Sequence, residues 1–219
     1  MSNSAILVVT YFKHEVLKIE VWFDVACPYC YIGLRHLESA IKLYAGKRLN
    51  FLLRSFELEP EIAVDNSETQ YITLMRQYKL SELRAKQTID TIATAGQAAG
   101  LIIDFDKVIR TNTFDAHRLI HFAADEGKGV EMNNRLFKAY FEEGKHIGSK
   151  KHLIALASEI GIDAKRLLES NNYSAEVRAD EHRAQLIGIS KIPFFLFDEK
   201  YSITGAQPVS VFIELMNRI

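Results

Sequence analysis

The 219-residue sequence predicts an α/β fold that is interrupted by a large block of helices. Segments near both ends of the chain have the residue pattern of β-strands, and the long middle part repeats its apolar residues at helical spacing. Strands at the two ends cannot bury their faces alone, so we expect them to share one sheet. The helical block is then an insertion into an α/β domain.

The first strand is predicted over residues 18–24, KIEVWFD, where Ile19, Val21 and Phe23 share one face. A helix follows almost at once, because apolar residues recur at helical spacing and Gly46 ends the segment. A second strand is predicted over residues 49–60, ending near Pro60. This beginning of the chain therefore reads as strand, helix, strand.

Residues 66–170 are predicted to be helical almost throughout. Glycines end four of the predicted segments, which are 81–100, 112–127, 131–144 and 149–161. A further helix is expected from Ser174 to Ile187. The end of the chain returns to strands, with a hairpin formed by residues 192–197 and 201–204, followed by an amphipathic helix over 207–219.

The composition is that of an ordinary globular protein, with 48% hydrophobic and 25% charged residues and a formal net charge of −1. There is no basic stripe, so we expect no nucleic-acid partner. The apolar run at residues 5–9 is too short for a secretion signal, and no stretch is long and apolar enough for a membrane span. We therefore expect a cytoplasmic protein without a membrane partner.

The segment DVACPYCYIG, residues 24–33, holds both cysteines at the point where the first strand gives way to a helix. The partial positive charge of a helix N-terminus favours a thiolate on Cys27, and the thiolate is the form that attacks disulfides. Pro28 fits the first helical position. Cys30 lies one turn further on, so we predict Cys27 as the nucleophile and Cys30 as the resolving thiol.

Two other interpretations of this pair stay open. In one, the cysteines are buried side chains without a chemical role. In the other, they are half of a metal site that needs two further ligands. His117 and His121 have i, i+4 spacing on a predicted helix, which leaves a Cys2His2 site open. Nothing else in the sequence supports a metal, so we assign none.

Six segments, in chain order, resemble the DsbA-like thioredoxin family, and most closely its FrnE-like branch of cytoplasmic dithiol oxidoreductases. They are DVACPYCYIG, SFELEP, NTFDAHRLI, LFKAYFEEG, GISKIPFFLF and YSITGAQP. The resemblance implies a thioredoxin-like fold with a large inserted all-helical domain. We divide the chain into a thioredoxin-like domain (18–62 and 172–219), an inserted helical domain (63–171) and an N-terminal extension of unknown structure (1–17).

The resemblance also implies which residues contact the substrate. In thioredoxin-like folds a cis-proline faces the CxxC, and the backbone before it pairs with substrate; Pro193 and Ile192 match these positions. Tyr29 lies between the cysteines, where the branch commonly has tryptophan, and would adjust the exposure of Cys30. Lys191 replaces a glycine of the branch, and either adds positive charge near the thiolate or points to solvent.

Three further residues are candidates for the site. His117 and Asn112 belong to the NTFDAHRLI segment, and the resemblance implies that His117 lines a substrate groove beneath the helical domain. The alternative for His117 is a core histidine with a hydrogen-bond partner. Asp24, three residues before Cys27, is a candidate for proton transfer or a solvent-exposed acid at the end of a strand.

The leading hypothesis is a thiol–disulfide oxidoreductase that acts on protein or small-molecule disulfides. The chain has no cysteines besides Cys27 and Cys30, so an external redox partner must reset the pair; glutathione is one candidate, and we expect no other cofactor. One alternative is a glutathione-dependent isomerase or transferase of the kappa or hydroxychromene-carboxylate type, which usually has serine at the first position. The other is a non-enzymatic binding module. Homodimerisation is left open.

Overall fold

The structure, a computed structural model, describes residues 16–66 and 68–219. Its elements in chain order are β1 (Val16–Phe23), α1 (Pro28–Leu43), β2 (Arg48–Ser55), α2 (Gln70–Gln77), α3 (Glu82–Ala98), α4 (Phe114–Asp125), α5 (Gly129–Phe141), α6 (Lys150–Glu159), α7 (Lys165–Leu168), α8 (Ser174–Leu186), β3 (Phe194–Phe197), β4 (Tyr201–Thr204) and α9 (Val209–Arg218). The predicted α/β fold with a helical insertion is confirmed.

The predicted N-terminal extension lies mostly outside the described residues. Its last two residues are an exception, because β1 already begins at Val16 and includes Leu17. The first strand therefore begins two residues before the predicted start at residue 18. Within the described ranges, no helix is both long enough and apolar enough to span a bilayer.

Strands from the two ends of the chain form one sheet in the order β2-β1-β3-β4, as expected from the sequence. β1 pairs in parallel with β2, with Phe23 opposite Ser55, and antiparallel with β3, with Trp22 opposite Phe194. β3 and β4 form the predicted hairpin. β1 thus lies inside the sheet and is covered on both faces, which explains why it is apolar almost throughout.

Ion pairs and one indole hydrogen bond fasten α8 to the outer face of this sheet. Glu20 is fully buried in β1, and its carboxylate accepts hydrogen bonds from Arg54 and Arg183 at 2.8–3.0 Å. Arg54 also donates to Asp180 of α8 at 2.9 Å, and the Trp22 indole donates to the Asp180 carbonyl oxygen at 3.0 Å. Each buried charge in this group therefore has an opposite partner, which is the condition under which burial is tolerated.

The inner face of the sheet and the inserted helices share one continuous hydrophobic core. Tyr31 of α1 stacks on Phe137 of α5, with ring centroids 4.8 Å apart, and on Phe141, at 5.9 Å. The insertion is thus packed directly onto the helix that carries the cysteines. The domain boundaries at 62/63 and 171/172 stay predictions, because this core runs across them.

β2 is shorter than predicted and ends at Ser55 rather than near Pro60. Beyond it, the Phe56 N–H donates to the Phe23 carbonyl oxygen at 3.0 Å, and the Leu58 N–H donates to the Asp24 carboxylate at 2.7 Å. The chain after β2 therefore bends over the end of β1, where it forms part of a cavity wall instead of continuing the strand.

The loop after β2 also buries the carboxyl group of Glu57. Its oxygens accept hydrogen bonds from Arg178 of α8 at 2.6 Å and from the Asn112 side chain at 3.4 Å. Burial raises the pKa of Glu57 from 4.5 to about 7, although the Arg178 hydrogen bond and the charge of His117 act in the opposite direction. The folded protein therefore holds a proton on Glu57 at pH values where the unfolded chain has lost it.

Gly33 allows α1 to approach the loop before β3. A Cβ atom at residue 33 would lie 2.9 Å from Cγ of Pro193 and 3.2 Å from Cζ of Phe195. Contacts this short require the neighbouring atoms to move. The absence of a side chain at residue 33 therefore sets the distance between the helix of the cysteines and Pro193.

We predict that Gly33→Ala lowers the free energy of unfolding by about 1–3 kcal/mol, the usual cost of overpacking a core. At a helix position without close neighbours, Gly→Ala would instead raise the free energy of unfolding by roughly 0.5–1 kcal/mol. The sign of the measured change therefore reports the contact with Pro193. Urea unfolding measures the change, and Lys42→Ala on the exposed last turn of α1 is the control. Unchanged or increased stability of Gly33→Ala would contradict this packing.

We also predict a pH dependence of stability from Glu57. Since the pKa of Glu57 is raised in the folded state, the stability that its bound proton contributes is fully present below the unfolded pKa. That stability is lost as pH rises towards 7 and above. Wild-type stability should therefore fall relative to Glu57→Gln between pH 5 and pH 8, by an amount on the order of 1 kcal/mol. The exposed Glu61→Gln is the control, and parallel pH curves for wild type and Glu57→Gln would refute the effect.

Candidate active site

Cys27 occupies the N-cap position of α1, where the chain leaves β1 and begins the helix. Its Sγ accepts a hydrogen bond from the Cys30 N–H at 3.3 Å, and Pro28 fills the first helical position. The first turn of α1 contains no acidic residue. The positive end of the helix dipole therefore points at the Cys27 sulfur, an arrangement that stabilises negative charge there.

The two sulfurs have different environments, although both are free thiols. Cys27 is 5% exposed and borders a cavity, whereas Cys30 is fully buried. Burial raises the pKa of the Cys30 thiol well above its usual value, and the hydrogen bond and charge of Cys27 raise it further. Cys27 is thus the sulfur that is accessible from the cavity, and Cys30 lies behind it in the protonated form.

The cavity in front of Cys27 has a volume of about 670 Å³. Tyr29 and Ile192 line it from the part of the chain that contains the sheet and α1, and residues of α2 and α3 line it from the helical insertion. The peptide bond between Ile192 and Pro193 is cis, the isomer expected at this position. Ile192 and Tyr29 line the cavity, and Pro193 is buried next to α1.

Asp24 lies in the cavity wall directly before the turn that carries Cys27, and its side chain is almost fully buried. One carboxylate oxygen accepts a hydrogen bond from the Ala26 N–H at 3.0 Å, and the other accepts from the Leu58 N–H at 2.7 Å. Asp24 is therefore not the solvent-exposed acid of the alternative interpretation. It is a buried carboxylate beside both cysteines.

His117 lies one layer behind the cavity instead of lining a substrate groove. It is 1% exposed, its Nε2 is 3.7 Å from Oδ1 of Asp24, and its ring packs on Phe23. Within the described part of the chain, Nε2 has no hydrogen-bond partner. This is the core position of the alternative interpretation and not the groove position that the resemblance implies, because α4 turns the His117 ring towards the core.

Asn112 also differs from its expected place in the substrate groove. Its side chain donates to the Pro60 carbonyl oxygen at 3.0 Å and accepts from the Phe114 N–H at 2.9 Å. Asn112 thus joins the start of α4 to the loop after β2. It shapes the site from outside and is absent from the cavity wall.

The Cys2His2 alternative finds no support in the geometry. His121 turns to the Ser55 hydroxyl and the Asp180 carboxylate, each at 3.1 Å. Among residues 16–66 and 68–219, no group of three or more His, Cys, Asp or Glu side chains is placed to share a metal ion.

Sequence reasoning missed several residues of the cavity wall. Arg110 is nearly fully buried there and pairs with Glu59 and, at 3.5 Å, with Glu68. Leu58 is half exposed and also lines the cavity. The sequence signal for Arg110 is its place just before the NTFDAHRLI segment. An arginine that is buried usually pairs with carboxylates.

Known proteins resemble this chain over most of its length. Residues 18–217 match the family of the DSBA-like thioredoxin domain. The uncharacterised protein YwbO of Bacillus subtilis is 31% identical over 204 residues, which cover 89% of this chain and 92% of YwbO. The crystal structure of a probable DsbA oxidoreductase from Streptomyces coelicolor is 31% identical, with a TM-score of 0.86, and the match covers 92% of this chain and 89% of that one.

A more distant match is the structure of a 2-hydroxychromene-2-carboxylate isomerase, with a TM-score of 0.71 and 16% identity, covering 92% of this chain and 95% of the isomerase. At this identity the likeness concerns the fold alone. The family match, in contrast, spans the sheet, the cysteine pair and the inserted helices. The chain therefore belongs to the DsbA-like thioredoxin family.

Proposed function

We propose that this protein is a thiol–disulfide oxidoreductase in which Cys27 is the nucleophile and Cys30 is the resolving thiol. The observation that carries the proposal is the asymmetry of the two sulfurs. Cys27 caps α1 and borders the cavity, while Cys30 lies one turn behind it, buried and protonated. Membership of the DsbA-like family supports the same chemistry.

In the proposed reaction the Cys27 thiolate attacks one sulfur of a substrate disulfide. The substrate S–S bond breaks, a mixed disulfide forms on Cys27, and the first half of the substrate leaves as a thiolate. Cys30 then loses its proton and attacks Cys27 Sγ, which releases the second half. Two electrons pass to the substrate, and the protein is left with a Cys27–Cys30 disulfide. The same steps in reverse oxidise a substrate dithiol.

The buried Cys30 thiol must lose its proton before it attacks, and we propose Asp24 as the acceptor. Asp24 contributes to the charges that act on Cys30 and is the carboxylate of the cavity wall that is not held by a cationic side chain. His117, with Nε2 at 3.7 Å from Oδ1, is placed to orient the Asp24 carboxylate. We assign His117 the role of a positioning residue.

The chain has two cysteines, so a second molecule must reset the pair after each turnover. We propose an external thiol, with glutathione as the first candidate, and a reaction that needs no bound cofactor. We place the reaction in the cytoplasm, the compartment expected from the sequence. Ile192 and Tyr29 are the residues that we expect to contact the substrate beside Cys27.

We predict that Cys27→Ser abolishes exchange, because the remaining thiol is buried and protonated. Cys30→Ser should still attack but should accumulate the mixed disulfide, which mass spectrometry detects as one added half of the substrate. Full exchange activity in Cys27→Ser would refute the proposal. Glutathione conjugation that survives in Cys30→Ser, with no exchange in the wild type, would instead favour the isomerase or transferase alternative.

We further predict that Asp24→Asn slows the resolution of the mixed disulfide by about 100-fold near neutral pH, the lower end of the usual contribution of a general base. The slowing should diminish as pH rises, because hydroxide then removes the Cys30 proton. Stopped-flow release of the second thiol measures this step, His117→Asn should show a smaller change of the same kind, and Asp106→Asn is the surface control. Equal pH profiles for Asp24→Asn and wild type would remove Asp24 from the mechanism.

A further inference from the structure

The cavity beside Cys27 offers far more room than the exchange of two sulfurs requires. At about 670 Å³ it falls within the range of sites that enclose small molecules. The inserted helices roof it, since α3 packs against α1, and α2 packs against α3. Cys27 is only 5% exposed under this roof, so a substrate must enter the cavity to reach the sulfur.

The cavity wall is mainly apolar. Six aliphatic side chains line it, contributed by the loop after β2, by α2 and α3 with the loop between them, and by the residue before Pro193; they are Leu58, Ile62, Leu74, Leu80, Ile92 and Ile192. Such a surface gains free energy when an apolar group displaces water from it. The wall therefore fits a compact hydrophobic group, such as an aromatic ring.

The charges of the wall are occupied by partners, with one exception. Arg110 is paired with Glu59 and Glu68, and the Asp24 carboxylate accepts two backbone hydrogen bonds. Lys191 is exposed at the edge of the cavity and, within the part of the chain that the structure describes, makes no hydrogen bond or ion pair. Its ammonium group is a positive charge available to a substrate.

Lys191 and Cys27 line the same cavity, so the Lys191 charge can act on a substrate bound there. Lys191 also borders a second cavity, of about 590 Å³, which meets the first at Tyr29 and Ile192 and contains His36 but no acidic residue. An anionic disulfide that approaches the Cys27 thiolate is repelled, and its leaving half carries a further negative charge. An unpaired cation at this edge offsets both effects.

We propose that the substrate is a small organic disulfide that carries a compact apolar group and an acidic group close to the sulfur. The apolar group occupies the cavity, and Lys191 receives the acidic group. This inference rests on the proposed function and adds the class of substrate to it. The chemical step is the exchange already written, with Cys27 forming the mixed disulfide and both halves of the substrate leaving as thiols.

The test uses pre-reduced protein and matched disulfides in single turnover. The series contains 2,2′-dithiodibenzoate, whose carboxylate is adjacent to the sulfur, as the anionic disulfide with rings, its dicarboxamide as the neutral one, and its bis(aminomethyl) counterpart as the cationic one. 3,3′-Dithiodipropionate is anionic without a ring, and a cystine-bridged peptide represents protein substrates. Each rate is divided by the rate of the same disulfide with 2-mercaptoethanol, because leaving-group reactivity differs between the compounds.

We expect the normalised rate to be highest for the anionic disulfide with rings. Lys191→Gln should lower the ratio of the anionic to the neutral rate by about fivefold, the upper range for an exposed pair of charges, and added salt should lower it in the wild type. Lys191→Arg should retain the ratio because it retains the charge. Lys151→Gln, on an exposed position of α6, is the control for loss of a distant lysine.

Two results would overturn the inference while leaving the proposed function in place. One is a ratio that does not change in Lys191→Gln, and the other is a normalised rate for the cystine-bridged peptide or the ringless anion that equals that of dithiodibenzoate. If no disulfide of the series, including the neutral one, reacts faster with the protein than with 2-mercaptoethanol, both the inference and the proposed function are wrong.

Discussion

The buried carboxylate of Asp24 is the contact on which the site depends. It binds the Ala26 N–H in the turn that leads into α1 and the Leu58 N–H in the loop after β2, while the Asp24 carbonyl oxygen accepts from the Cys27 N–H at 3.0 Å. One residue at the end of β1 thus fixes both the start of the cysteine helix and a wall of the cavity. A carboxylate removed from water requires such partners, and here the partners are the backbone that builds the site.

The two faces of the sheet are stabilised by different interactions, and the site lies where they meet. On the inner face, stacked aromatic rings carry the packing from α1 into the inserted helices. On the outer face, α8 is held by paired charges around Glu20 and Arg54. The loop after β2 passes between these regions and carries Glu57, whose proton connects the stability of this loop to pH. The cysteines therefore lie next to a loop whose stability depends on the protonation of Glu57.

Local patterns predicted the sheet, the helices and the position of Cys27 and Cys30 at the start of α1, because hydrophobic period and a helix start are properties of short segments. The errors arose where distant segments meet. β2 ends early because its continuation bonds to the end of β1, and His117 points inwards because of the packing of α4, which no spacing in the sequence encodes. The pairing of Arg110 is likewise a long-range contact. The narrower FrnE-like assignment and the domain boundaries stay predictions.

The helical insertion begins after β2 and ends before α8, so the four strands of the described sheet and both cysteines lie outside it. Mutations in α2 and α3 reshape the roof of the cavity without touching the hydrogen bonds that present Cys27. In this architecture the cysteine pair can therefore stay the same while the shape of the cavity changes during evolution. Two descendants of one ancestor can keep the same dithiol unaltered while they diverge in the molecules that they admit.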